Sequence, residues 1–157
     1  MRNIDLTIDQ ILPHQGRMLL LDELLSHDDV GIVTAVTIHH DTVMCDGVNG
    51  VPAWVGMEYM AQAACAYTGV HEVRAGDKPK ITLLLGTRSF KAHVPVFPIG
   101  SRLIVSAELL MCDDDNLAVF NCCIECNGQE WAVGDIKAIR PADIRVLIQE
   151  QLNEQSE

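Results

Sequence analysis

The stretch Pro52-Ala-Trp-Val-Gly-Met-Glu-Tyr-Met-Ala-Gln-Ala-Ala-Cys-Ala-Tyr-Thr-Gly-Val-His-Glu-Val73 decides how the rest of the chain is read. It is rich in alanine and methionine, opens on a proline suited to a first helical turn, and has Gly76-Asp77 beyond its end. This predicts a helix over 52–73. Its apolar residues Trp54, Val55, Met57, Met60, Ala61, Ala63, Ala64, Cys65 and Ala66 point in nearly every direction around the axis, so protein wraps the helix on most sides. Alanines at 61, 63, 64 and 66 let a neighbouring layer come close.

Outward from this helix the pattern changes to short apolar runs. Upstream, Ile4 to Leu12 fits one or two helical turns that stop at Pro13. Met18–Leu25 and Val30–His40 read as strands joined by the turn Ser26-His27-Asp28-Asp29. Downstream, strands are expected at Ile81–Leu85, Leu103–Met111, Leu117–Cys126 and Glu130–Ile139. Asp113-Asp-Asp-Asn116 and Asn127-Gly128 supply the tight turns of an antiparallel meander. A short helix at about 141–151 and a polar tail at 152–157 close the chain. One buried helix followed by antiparallel strands implies an α+β domain, a curved sheet around the helix, with residues 1–157 forming a single unit. Such a sheet leaves an edge to be covered, which points to a dimer.

At 157 residues there is room for one core and no second full domain. The net charge of −11 repels a phosphate backbone and argues against nucleic acid as a partner. Charges within the first nine residues argue against a secretory signal, and no window approaches the about 18 apolar residues of a spanning helix, so a cytoplasmic protein is expected. In a reducing compartment the six cysteines, Cys45, Cys65, Cys112, Cys122, Cys123 and Cys126, read as free and mostly buried thiols. The Cys123–Cys126 pair lies in a predicted strand that points its two thiols to opposite faces, and no second ligand pair accompanies it.

Glu58 is the residue most relevant to chemistry. A carboxylate on an otherwise apolar helix is costly unless it is partnered or protonated. Helical spacing puts Trp54 at i−4, Ala61 at i+3 and Gln62 at i+4 on its face, so Gln62 is placed to hydrogen-bond Glu58 or a shared ligand. Glu58 then either acts as an acid or sits at the solvent edge of the helix. Pro52 has no N–H, so the donors pointing out of this helix end begin at Ala53 and Trp54, where they can polarise a carbonyl. A base would come from histidine. Of His14, His27, His39, His40, His71 and His93, His14 lies in a loop ahead of the first strand and is the candidate.

Three stretches together carry a resemblance. Leu12-Pro-His-Gln-Gly-Arg-Met-Leu-Leu-Leu-Asp22, Pro52-Ala-Trp-Val-Gly-Met-Glu-Tyr-Met-Ala-Gln62 and, more loosely, Gly86–Gly100 resemble motifs of the 3-hydroxyacyl-acyl-carrier-protein dehydratases, and the helix stretch is most similar to their divergent ApeP-like branch. The resemblance spans about residues 8–140. It implies the hotdog fold, a dimer with sites at the interface, and no metal or redox cofactor. The family acid falls on Glu58, its glutamine on Gln62 and its backbone donor on Ala53. The family's catalytic histidine falls on Met44, so the usual base is absent, leaving His14 or a related subunit to provide one.

The activity implied is syn dehydration of a 3-hydroxyacyl thioester on acyl-carrier protein to a trans-2-enoyl thioester, in fatty-acid-like or aryl polyene synthesis. Glu58 and His14 would be catalytic, with Ala53, Gln62 and Trp54 binding substrate. The partners would be the carrier protein, met by Arg88, Lys91, Lys137 and Arg140, and a second hotdog subunit in a homodimer or heterodimer. The alternatives are a thioester hydrolase and a non-catalytic subunit of a heterodimeric dehydratase.

Overall fold

The computed structural model describes residues 5–141 and 144–154. Helix α1 (Ile8–Ile11) and a 3-10 turn (Gly16–Met18) precede a hairpin of β1 (Glu23–His27) and β2 (Gly31–Thr37). A short strand, β3 (Gly50–Pro52), runs through a 3-10 turn (Ala53–Val55) into the long helix α2 (Gly56–Arg74). After it come β4 (Leu83–Gly86), β5 (Phe90–Ala92), β6 (Val96–Pro98), β7 (Arg102–Cys112), β8 (Leu117–Cys126), β9 (Gln129–Ile139) and α3 (Ile144–Glu154).

The antiparallel strands β1-β2-β7-β8-β9-β4 form one sheet, with β5 also on β9, while β3 and β6 pair separately. Helix α2 packs on β2, β7, β8 and β9. Burial alternates along β7 and β8, so Leu103, Val105, Ala107, Phe120, Cys122 and Ile124 face Tyr59, Met60, Ala63 and Ala66 in one core. Each large apolar side chain buried this way contributes about 1.5–3 kcal/mol. The architecture is the α+β hotdog arrangement, a sheet curled around one helix.

Local chemistry sets the turns. Asn127 and Gly128 adopt φ of 51° and 76°, the paired positive values of the β8–β9 hairpin. Asp113 Oδ1 accepts N–H bonds from Asp115 and Leu117, both at 2.9 Å, which closes the β7–β8 turn. Gly69 is where α1 meets α2: a Cβ there would lie 1.8 Å from the Ile11 carbonyl oxygen.

Several expectations shift. The first strand begins at Glu23 rather than Met18, because the Gln62 amide on α2 captures the backbone of Met18 and Leu20. Ser26 and His27 stay in β1, and the turn moves to Asp28, whose Oδ1 accepts from the Val30 and Gly31 N–H groups. Pro52 belongs to β3, so the α-helix starts at Gly56. The short strands β3, β5 and β6 are additional to those expected. Helix α1 begins at Ile8, and Ile4 lies outside the described residues. Helix α3 continues to Glu154; residues 155–157 of the expected tail are outside the described residues. All six cysteines are free; Cys65, Cys122 and Cys126 are buried, but Cys112 is exposed and Cys45 and Cys123 are half-buried. No helix among the described residues is long and apolar enough to cross a membrane.

Candidate active site

Glu58 lies in the first turn of α2 and is half-buried. One turn on, Gln62 is sealed in the core, and its amide orientation is fixed by three bonds. Its Oε1 accepts the Leu20 N–H at 2.9 Å, while Nε2 donates to the Met18 carbonyl at 2.8 Å and to Glu58 Oε1 at 3.2 Å. Both amide hydrogens are thereby committed, and one carboxylate oxygen of Glu58 is held in place. The loop ahead of β1 is the anchor of this arrangement, so the site is built from segments 42–44 positions apart in the chain.

Glu58 opens on a cleft of about 90 Å³, lined also by His14, Ala61, Gln62, Cys65, Thr82, Leu84, Ile136 and Ala138. The cleft unites three residues expected from the sequence, Glu58, Gln62 and His14. The Nδ1 of His14 is buried without a hydrogen-bond partner among the described residues, as are the Tyr59 hydroxyl and Arg140 Nε. His14 also borders a broader cleft of about 530 Å³ with Asp9, Gln15 and Lys78, so it lines both.

The inner wall comes from β4 and the end of β9. Arg140 pairs with Glu72 of α2, and its Nη2 donates to Thr82 Oγ1 at 3.3 Å. Glu72 Oε2 accepts the Lys80 N–H at 3.0 Å, which ties the approach to β4 onto the helix. Burial raises the pKa of the Cys65 thiol, keeping it neutral on this wall.

Other expected residues lie elsewhere. The Ala53 N–H donates to the Pro95 carbonyl at 3.0 Å, in the β3–β6 region, and is not an available oxyanion donor. Trp54, on the 3-10 turn ahead of α2, is 56% exposed and does not line the cleft. Arg140 is engaged by Glu72 and is not a free surface cation; Arg88, Lys91 and Lys137 are exposed. Met44 is exposed at a φ of 69°, in a loop held by Asp46. Asp46 Oδ1 accepts the N–H groups of Val48, Asn49 and Gly50 at 2.9, 2.7 and 3.2 Å. None of the other five histidines lines the Glu58 cleft: His93, for example, pairs with Glu130, and His71 packs against the Tyr67 ring. Cys65 is legible as i+7 of the Glu58 stripe, whereas Thr82, Leu84, Ile136 and Ala138 arrive through strand pairing that no local pattern announces.

The ApeP dehydratase model of the ApeP-like family matches residues 6–149. The chain belongs to this family. Among solved structures, this ApeP-like chain is 31% identical to a chain of the dehydratase heterocomplex ApeI:P from Xenorhabdus doucetiae, over 92% of its own length and 96% of that chain, with a TM-score of 0.83. Two more distant structures share the fold. One is the HP0420 homologue from Helicobacter felis, 15% identical over 86% of this chain and 88% of that one, with a TM-score of 0.63. The other is the PaaI protein of E. coli, 16% identical over 74% and 81%, with a TM-score of 0.56. No curated protein matches the ApeP-like chain in sequence.

Proposed function

We propose that this ApeP-like dehydratase family member is a cytoplasmic hydro-lyase that dehydrates a 3-hydroxyacyl thioester carried on acyl-carrier protein. The observation that carries the reading is Glu58, held by Gln62 at a cleft it shares with His14. A base takes the C2 proton, and the electrons of that C–H bond form the C2=C3 double bond. The C3–O bond breaks as protonated Glu58 gives its proton to the leaving hydroxyl, and water departs. His14 is the base in this chain. The wide cleft beside His14 admits the thioester arm, and exposed Arg88, Lys91 and Lys137 offer cations to an acidic carrier.

A second reading shares the chemistry between two subunits. It is favoured by Met44, where the sequence resemblance places the family base, and by the likeness to a heterocomplex, and in it a related hotdog subunit contributes the base facing Glu58. The purified chain is incubated with a 3-hydroxybutyryl carrier protein, alone and with a related subunit, and the carrier is weighed for loss of water. Dehydration by the chain alone supports His14 as base; dehydration only in the mixture supports the composite site. Free thiol released from a saturated butyryl carrier, without dehydration in either arm, overturns both in favour of hydrolysis.

A further inference from the structure

Removing the C2 proton puts negative charge on the thioester oxygen, and a donor aimed at that oxygen is worth a large factor in rate. The Ala53 amide is spent on Pro95. Among the groups lining the Glu58 cleft, His14, Gln62, Cys65 and Thr82 carry donor hydrogens. Gln62 has committed both of its hydrogens, to Met18 and Glu58. Cys65 offers only a weak S–H donor, and His14, as base, must turn its unprotonated, accepting nitrogen to the substrate's C2 proton, with its N–H on the other side of the ring. Thr82 remains. Its Oγ1 accepts a bond from Arg140 Nη2, which leaves its own hydrogen to be directed elsewhere.

We infer that Thr82 is a further catalytic residue of the proposed dehydration, its hydroxyl donating to the thioester oxygen while Arg140 polarises and orients it. The inference rests on the dehydratase reading of the same cleft. Arg140 and Glu72 are positioning residues. Glu72 holds Arg140 with one oxygen and the Lys80 N–H with the other, so the segment entering β4 is fixed ahead of Thr82, while the pairing of Leu83 with Ile139 fixes it behind. An accepted bond strengthens the next bond that a hydroxyl donates. Thr82 also stands beside the Cys65 sulfur, a weak acceptor that a developing oxyanion readily displaces.

The test compares the full chain, Thr82→Val, Thr82→Ser and Glu58→Gln, with the related subunit present in all arms, on a 3-hydroxybutyryl carrier. Thr82→Val is expected to lower kcat about 100-fold with KM changed less than about twofold, and Thr82→Ser to restore most of the rate. Isotope-edited infrared of bound crotonyl thioester provides a second readout. The carbonyl stretch lies at lower wavenumber in wild type and Thr82→Ser than in Thr82→Val. Full turnover by Thr82→Val, or equal losses in both Thr82 variants with no infrared shift, overturns the role of Thr82. If no arm, wild type included, dehydrates the carrier, the dehydratase reading itself has failed; if Glu58→Gln turns over as fast as wild type, the placement of the reaction in the Glu58 cleft has failed; if Glu58→Gln alone is dead, only the inference about Thr82 has.

Discussion

Two individual side chains give sharp expectations. Tyr59 is completely buried beside Phe97, and its hydroxyl has no hydrogen-bond partner among the described residues. Burial pushes its pKa up to about 12. Deleting an unpaired buried hydroxyl removes a desolvation penalty of about 1–3 kcal/mol in exchange for a small void, so Tyr59→Phe is expected to leave the protein equally or more stable in urea unfolding. Asp46 points the other way. Backbone N–H groups of Val48 and Asn49, with the Asn49 side chain and Gly50, hold its carboxyl well below the usual carboxylate range. The folded state therefore favours the ionised form, and the stabilisation is complete above the unfolded pKa of about 4, then fades as pH falls toward the lower folded value. The difference in unfolding midpoint between wild type and Asp46→Ala should be constant near neutral pH and shrink progressively below about pH 4.

At the scale of elements, the meeting of α1 and α2 is governed by Gly69. A side chain at this position would run into the backbone of Ile11, so Gly69→Ala must push α1 away, and a cost of about 1–3 kcal/mol is expected as a lowered thermal midpoint. Unchanged stability would mean that α1 does not press on α2. The sequence made the central helix, the meander and the Asn127-Gly128 turn legible because each is specified by local periodicity or by turn residues that tolerate positive φ. Strands β3, β5 and β6 were not, since three residues each are too short to show alternation. The delayed start of β1 depends on Gln62, more than 40 residues away, and no local pattern contains it. The same distinction divides the site. Glu58, Gln62 and Cys65 share one helical stripe, whereas Thr82 and Ala138 reach the cleft only through the pairing of β4 with β9 and the approach to it. His14 could be singled out in its loop, but its proximity to Glu58 is a property of the packed chain.

At the scale of the molecule, the Arg140–Glu72 pair joins the end of the sheet to the end of the buried helix. With side chains 17% and 10% exposed, it is shielded from solvent, and removing one partner strands the other charge. Arg140→Met is expected to cost about 3 kcal/mol or more in denaturant unfolding, and Arg140→Met with Glu72→Leu to recover much of the loss. Equal stability of wild type and the single variant would make the pair an ornament of the surface rather than a clasp. Through Arg140 the clasp also holds Thr82 on the wall of the Glu58 cleft, so fold and proposed chemistry depend on the same contacts.

The most direct test of the proposed dehydration is single-turnover conversion of a 3-hydroxyacyl carrier by wild type and Glu58→Gln, each with the related subunit present and with unfolding midpoints measured alongside. The expected result is a loss of about 100-fold or more in Glu58→Gln at nearly unchanged stability, because an amide preserves the contact with Gln62 but has no acidic proton to transfer. Wild-type turnover by Glu58→Gln, or its marked unfolding, would contradict the assignment of Glu58 as the acid.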